Sequence, residues 1–156
     1  MRTGLGLLLW ATVSVAAPKG TADLVGCPYS SEEVSAALGM GMKWQPATVM
    51  DEAGMKVATC RGIAQGANGY MFITQSAAPA ATAAKRFDAV LRTEFKGAEA
   101  VEGDSDGARW WARPDLKSYT LVYVRGAVMT RVNISSPDKD YVERLKAGLL
   151  KLRRLP

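Results

Sequence analysis

Residues 117–135 read KSYTLVYVRGAVMTRVNIS, with alternating apolar and polar side chains on both sides of Arg125-Gly126. An alternation with a period of two, over 117–124 and again over 127–135, is typical of β-strands. A short glycine-containing turn between two such runs predicts a β-hairpin. This hairpin indicates an antiparallel sheet. We expect the other strands to extend this sheet and the helices to pack on it.

The second run of the hairpin has two unlike faces. Its more apolar face, which we expect to meet the helices, carries Val128, Thr130, Val132 and Ile134. Successive strand residues point to opposite sides, so Met129, Arg131 and Asn133 are expected to face away from the helices.

Three helices are predicted around this sheet. Ser30 and Glu33 form a capping box at the start of a helix over 29–39, which ends at Gly39. A period of 3.6 residues over 79–96 predicts the second helix. The third begins at Ser136-Pro137-Asp138, an N-cap signature, and its apolar stripe is Tyr141, Leu145, Leu149, Leu152 and Leu155.

The remaining strands are predicted at 55–62, 69–76 and 109–113, with a further candidate near 47–50. Residues 40–45 and 97–107 are predicted to be loops. The resulting order is α-ββ-α-βββ-α. We expect an α+β fold in which residues 17–156 form one domain, a two-layer sandwich with about five antiparallel strands and helices on one face.

The composition of the chain argues against a disordered protein and limits the chemistry of any catalytic or metal site. Apolar residues make up 48% of the 156 residues and charged residues 22%, which is typical of a globular domain rather than a disordered chain. The net charge is +5 and the sequence contains no histidine. The commonest general base and metal ligand is therefore missing.

Residues 1–16 have the pattern of a secretory signal peptide. Arg2 precedes an apolar stretch, and Ser14-Val15-Ala16 supplies small residues before a cut. A periplasmic or secreted protein that begins at Ala17 is the first interpretation. The alternative is a lipoprotein anchored at Cys27, because Leu24-Val25-Gly26-Cys27 has the form of a lipoprotein box, although charged residues separate it from the apolar stretch.

The only two cysteines are Cys27 and Cys60. In an exported chain, paired cysteines oxidise by default, so a structural disulfide is predicted between them. A redox-active pair normally has C-x-x-C spacing, and these residues do not.

These features also resemble a known group of proteins. The shared pattern is a cysteine before a capped helix, a second cysteine on a following strand, a Gly-Asp turn before Ala108-Arg109-Trp110, a hairpin at Arg125-Gly126 and a final Arg-Leu-Pro. The chain resembles small bacterial exported proteins and lipoproteins of unknown function, and is similar to the extracellular sensor domains of some receptor kinases. The resemblance implies an α/β sandwich with bridged cysteines and implies no catalytic residue.

No motif in the sequence indicates catalysis, a metal or a cofactor. Residues 102–107 resemble the start of a calcium loop, but Arg113 stands where the closing glutamate should be. We interpret this segment as an Asp- and Gly-rich turn. A hydrolase without histidine is the least favoured alternative.

The favoured function is a non-catalytic binding or sensor-like domain of the cell envelope; the alternative is a lipid-anchored or envelope-associated accessory protein. Trp and Arg dominate interaction hot spots, so the partner surface is predicted at Met129, Arg131 and whichever of Trp110 and Trp111 faces away from the helices. The partner would be a protein, a lipid or a wall polymer. Peripheral membrane contact fits the positive charge, whereas nucleic acid is not expected.

Cleavage after Ala16 is directly testable. We expect the mature exported protein to have Ala17 as its free N-terminus, which intact-mass spectrometry measures. A retained Met1 or an acylated Cys27 would show that this interpretation is wrong.

Overall fold

The computed structural model describes Leu24, residues 27–66 and residues 68–155, with the backbone alone at positions 139, 141, 142 and 144. The predicted signal peptide and its cleavage site lie outside this part of the chain. The side chain of Tyr141, which the sequence places in the apolar stripe of the third helix, also lies outside the described part.

The described residues form eight strands and three α-helices. The strands are β1 (Met42–Trp44), β2 (Thr48–Glu52), β3 (Met55–Ala64), β4 (Tyr70–Ala77), β5 (Glu99–Ala100), β6 (Arg109–Arg113), β7 (Ser118–Arg125) and β8 (Val128–Ser135). The helices are α1 (Ser31–Leu38), α2 (Ala80–Thr93) and α3 (Lys139–Leu149), and a short 3-10 helix spans Pro114–Leu116.

All the strands belong to one antiparallel sheet with the order β1-β3-β4-β8-β7-β6-β5. Strand β2 pairs with β3 along the same edge as β1. The two halves of the chain meet where β4 pairs with β8, with Ile73 opposite Val132 and Met71 opposite Ile134. The predicted hairpin is present, and its two strands pair from Ser118–Ser135 to Arg125–Val128.

Helix α1 begins and ends as its sequence predicts. The Ser30 hydroxyl accepts a hydrogen bond from the Glu33 backbone N–H at 3.1 Å, and the Ser30 N–H donates to the Glu33 carboxylate at 2.9 Å. Gly39 ends the helix in the left-handed region, at φ 69°, which costs glycine little. The capping box is therefore confirmed.

The main core lies between one face of the sheet and the pair α1 and α3. Side chains at alternate strand positions supply the sheet's part of this core: Cys60, Met71, Ile73, Trp110, Tyr119, Leu121, Tyr123, Val132 and Ile134. Val34 of α1 and Leu145 and Leu149 of α3 cover them, together with Leu152 and Leu155 beyond α3. We name this side the first face.

Helix α2 packs on the opposite side, the second face. Ala83 and Phe87 of α2, with Phe95 just beyond it, cluster with Val122 of β7 and Met129 of β8. The expectation of helices on one face only is therefore wrong. Apolar side chains occur on both sides of the central strands, and each side needs its own cover.

The predicted number of strands is also too low. Residues 40–45 and 97–107, predicted as loops, contain the short edge strands β1 and β5, whereas the candidate near 47–50 is present as β2. A strand of two or three residues is too short to show a clear alternation. Such a short strand is recognised in the structure only by its backbone pairing with a longer neighbouring strand.

The predicted disulfide is present between Cys27 and Cys60, whose Cα atoms lie 5.3 Å apart. Cys60 is buried on the first face, and Cys27 lies just before α1. The bond therefore ties the segment that leads into α1 to strand β3.

We expect the double variant Cys27→Ser/Cys60→Ser to lose about 3.5 kcal/mol of unfolding free energy, because the bond closes a loop of 33 residues. Urea unfolding of the wild type and the variant measures this loss, and reduction of the wild type should reproduce it. Two titratable thiols in the native exported protein would contradict the bond.

Candidate functional site

Helix α2 leaves part of the second face of the sheet uncovered. Two rows of side chains cross five strands there, as the pairing register shows. The first row is Arg61, Phe72, Asn133, Thr120 and Trp111, and the second is Ile63, Tyr70, Ser135, Ser118 and Arg113. We name these ten residues the open strip. Thr120 in its middle is buried, and the other nine are partly or fully exposed.

The strip is an extended surface rather than a deep pocket. Neighbouring strands lie about 4.8 Å apart, so five strands span roughly 19 Å from Arg61 to Trp111. Two rows at alternate positions add about 7 Å in the other direction. These dimensions suit an elongated ligand.

At one end of the strip, Arg61 packs on two aromatic rings. Its guanidinium carbon is 4.9 Å from the centre of the Tyr70 ring and 5.5 Å from that of Phe72. Its Nε is buried without a hydrogen-bond partner, and no described carboxylate forms an ion pair with it. A guanidinium stacked in this way keeps its edge N–H groups for a planar anion.

The centre of the strip is a hydrogen-bonded polar cluster built on Asn133. Its Nδ2 donates to the hydroxyl of Ser118 at 2.7 Å, to the hydroxyl of Thr120 at 2.9 Å and to the Tyr119 carbonyl at 3.2 Å. The Tyr119 carbonyl can only accept, so it fixes which end of the amide is Nδ2. The Oδ1 atom is left as an acceptor for which the described part of the chain supplies no donor.

Trp111 forms the other end of the strip. Its ring meets Phe95 edge to face, with centroids 5.1 Å apart, and the Arg113 guanidinium lies 5.3 Å from its centre. Unlike Arg61, Arg113 has an acidic partner, because it donates two hydrogen bonds to Asp115 at 3.0 and 2.8 Å. The charge of this end is therefore locally balanced.

A cavity of about 320 Å³ adjoins the second row. Tyr70 and Ser135 of the strip line one side, and the chain around the 3-10 helix lines the other, including the exposed Leu116. Lys117 donates through Nζ to the Pro137 carbonyl at 2.5 Å and so holds this end in place. The strip and the cavity together form one continuous candidate site.

The structure separates the four residues predicted as the partner surface. Trp110 is 8% exposed and belongs to the first-face core, whereas Trp111 lies on the second face. Met129 is 1% exposed beneath α2, so the expectation that it faces away from the helices is wrong. Arg131 is partly exposed but bonds to Glu94 at 2.8 Å and stacks on Phe95.

Of the open strip, sequence reasoning assigned only Trp111 to the site; the residues it missed include Arg61, Tyr70, Phe72 and Asn133. Tyr70 and Phe72 are recognisable as neighbours on one face of a strand from their alternation alone. Their proximity to Arg61 and Asn133 depends on the pairing of β4 with β3 and β8, which the sequence does not specify.

A second polar cluster lies near residues 152–155, on the turn that resembles a calcium loop. Asp104 accepts hydrogen bonds from the Asp106 and Ala108 backbone N–H groups and forms an ion pair with Arg154. Asp106 binds Arg125 at 2.9 Å. The turn is thus closed by arginines, and the described residues contain no group of three acidic or Cys side chains that could hold a metal.

This cluster perturbs the pKa of Asp104. Burial of the carboxylate opposes its ionisation, but hydrogen bonds from Arg154 and from the backbone of Ala108 and Asp106 outweigh that effect. The pKa of Asp104 therefore lies below its ordinary value. Burial also raises the pKa of Tyr29, whose hydroxyl donates to the Arg153 carbonyl at 2.9 Å.

Two further observations complete the description. No helix within the described ranges is long and apolar enough to cross a membrane. Comparisons of the chain with protein-family models and with curated proteins found no match.

We expect Asp104→Asn to destabilise the protein at pH 7 by about 1–3 kcal/mol, because it removes a charged acceptor from Arg154. A carboxylate whose pKa is lower in the folded state stabilises the protein at neutral pH. This stabilisation is lost as the pH falls below about 4 and through the folded-state pKa. Between pH 7 and pH 2.5, urea unfolding should therefore show a smaller decrease in unfolding free energy for the variant than for the wild type.

Asp88→Asn is the matched control, because Asp88 pairs with Arg92 on the exposed side of α2. It should change stability by less than about 0.5 kcal/mol. An unchanged acid slope in Asp104→Asn would contradict the assignment.

Proposed function

We propose that the protein is a non-catalytic binding domain of the cell envelope and that the open strip contacts its ligand. The observation that carries this proposal is the incomplete cover of the second face. Helix α2 buries Val122 and Met129. Beside them it leaves partly exposed a set of aromatic rings, an arginine without an acidic partner and an ordered amide. A few convergent polar groups beside apolar rings are typical of ligand sites.

The chemistry of the strip is suited to binding. Guanidinium, amide and hydroxyl groups donate or accept hydrogen bonds without changing protonation near neutral pH. General acid–base catalysis instead uses groups that titrate near the working pH. The strip can therefore orient a ligand, and this supports a binding role over a hydrolytic one.

The disulfide supports an envelope location. Disulfides persist in oxidising compartments, and the sequence of residues 1–16 predicts export to one. It also favours simple cleavage over a lipid anchor, because the Cys27 sulfur is bonded to Cys60 and that atom is the one a lipid would modify. A lipid-anchored accessory protein remains the alternative that N-terminal mass would reveal.

Tyr70→Ala tests the role of the strip. Its side chain is 42% exposed, so the variant should lose less than about 0.5 kcal/mol of stability. We expect its binding to isolated cell-wall polysaccharide, measured by co-sedimentation, to weaken about fivefold or more. Vesicles of phosphatidylglycerol and phosphatidylcholine serve as the second surface.

Leu150→Ala is the matched control, because Leu150 is 44% exposed and follows α3, which packs on the first face. It should bind as the wild type does. If neither surface binds the wild type, or if both variants bind equally well, the open strip is not the binding surface.

A further inference from the structure

We infer that the open strip binds a carboxylated polysaccharide and that Arg61 takes the carboxylate. This inference rests on the proposed function, because it names the ligand class of the same surface. Three observations support it: the pairing of charges along the strip, the arrangement of aromatic and polar groups, and the position of the strip within the sheet.

Charge pairing singles out Arg61. The only other arginine of the strip, Arg113, is matched with Asp115, and the neighbouring Arg131 is matched with Glu94. The ten residues of the strip include no carboxylate, and none among the described residues pairs with Arg61. A guanidinium charge without an acidic partner makes the Arg61 end of the strip complementary to an anion.

The groups around Arg61 match a sugar chain. A sugar ring has an apolar C–H face, which suits the aromatic surfaces of Tyr70, Phe72 and Trp111, and hydroxyls at its edge, which suit an amide such as Asn133. A carboxylate on the ring offers the two oxygens that a guanidinium binds in parallel. The length of roughly 19 Å allows several sugar units to lie in line.

Two other anionic partners fit less well. A peptide docks most readily on free backbone groups at the edge of a sheet, whereas four of the five strands under the strip pair on both sides along it. Only β6, beyond Trp110, has no described strand on its outer side. A lipid surface favours a continuous protruding apolar group. Leu116 beside the cavity is exposed, but within the strip Phe72 and Trp111 are half-buried and Asn133 lies between them. The polar centre of the strip thus favours sugars.

The direct test compares oligogalacturonate, a chain of carboxylated sugars, with its methyl ester, which keeps the rings but removes the charge. Isothermal titration should show binding of the free acid at low salt, at least about tenfold weaker binding of the ester, and weakening with added salt. Arg61→Gln should reduce binding of the acid to the level of the ester. Arg61→Lys should recover only part of it, because lysine lacks the planar fork.

Arg92→Gln is the matched control, because it removes the same charge from the exposed side of α2. It should leave binding unchanged, and thermal melting of each variant reports whether it folds. Equal binding of acid and ester, no binding of the acid, or an Arg61→Gln variant that folds and still prefers the acid would each overturn the inference.

The outcomes also separate this inference from the proposed function. If ester and acid bind equally and Tyr70→Ala weakens both, the strip is a binding surface for uncharged sugars and only the role of Arg61 is wrong. If phosphatidylglycerol vesicles bind in an Arg61-dependent way while oligogalacturonate does not, the ligand is a lipid and the sugar assignment is overturned.

Discussion

The pairing of β4 with β8 is the constraint on which the rest of the structure depends. Each strand belongs to a hairpin that can form locally, β3–β4 and β7–β8, but only their contact joins the two halves of the chain into one sheet. Side chains alternate with a period of two, so a slip of one residue would turn Ile73 and Met71 away from Val132 and Ile134. The register therefore fixes both the core and the open strip.

The same register explains why the open strip exists. Helix α2 follows β4, and the chain enters it beside the β7–β8 turn, where the Ala78 N–H donates to the Ala127 carbonyl at 3.1 Å. At its far end Phe95 reaches Trp111 on β6. A helix of 14 residues is about 21 Å long and covers only one band of a sheet of this width. The rows from Arg61 to Trp111 and from Ile63 to Arg113 lie beyond that band.

Local signals in the sequence predicted local features of the structure. The capping box at Ser30, the hairpin at Arg125-Gly126 and the strand over 109–113 each depend on neighbouring residues alone, and all are present. The second-face position of α2 and the convergence of Arg61 with Asn133 depend on pairing between distant strands. Hydrophobic alternation shows that Met129 and Val132 face opposite ways but does not show which helix covers each. For that reason the predicted partner surface included Met129, which is buried.

The anchoring of residues 152–155 has a kinetic consequence. Arg153 binds Glu33 at 2.6 Å and the Pro28 carbonyl at 2.5 Å, across 120 and 125 positions of the chain, and Leu155 donates to the Tyr123 hydroxyl at 2.8 Å. Contacts between such distant positions form late, because a long loop must close before they can contribute. Helix α1 is thus made early in synthesis but reaches its final environment only after residues 152–155 have emerged. The disulfide between Cys27 and Cys60 can hold α1 near β3 until those residues dock.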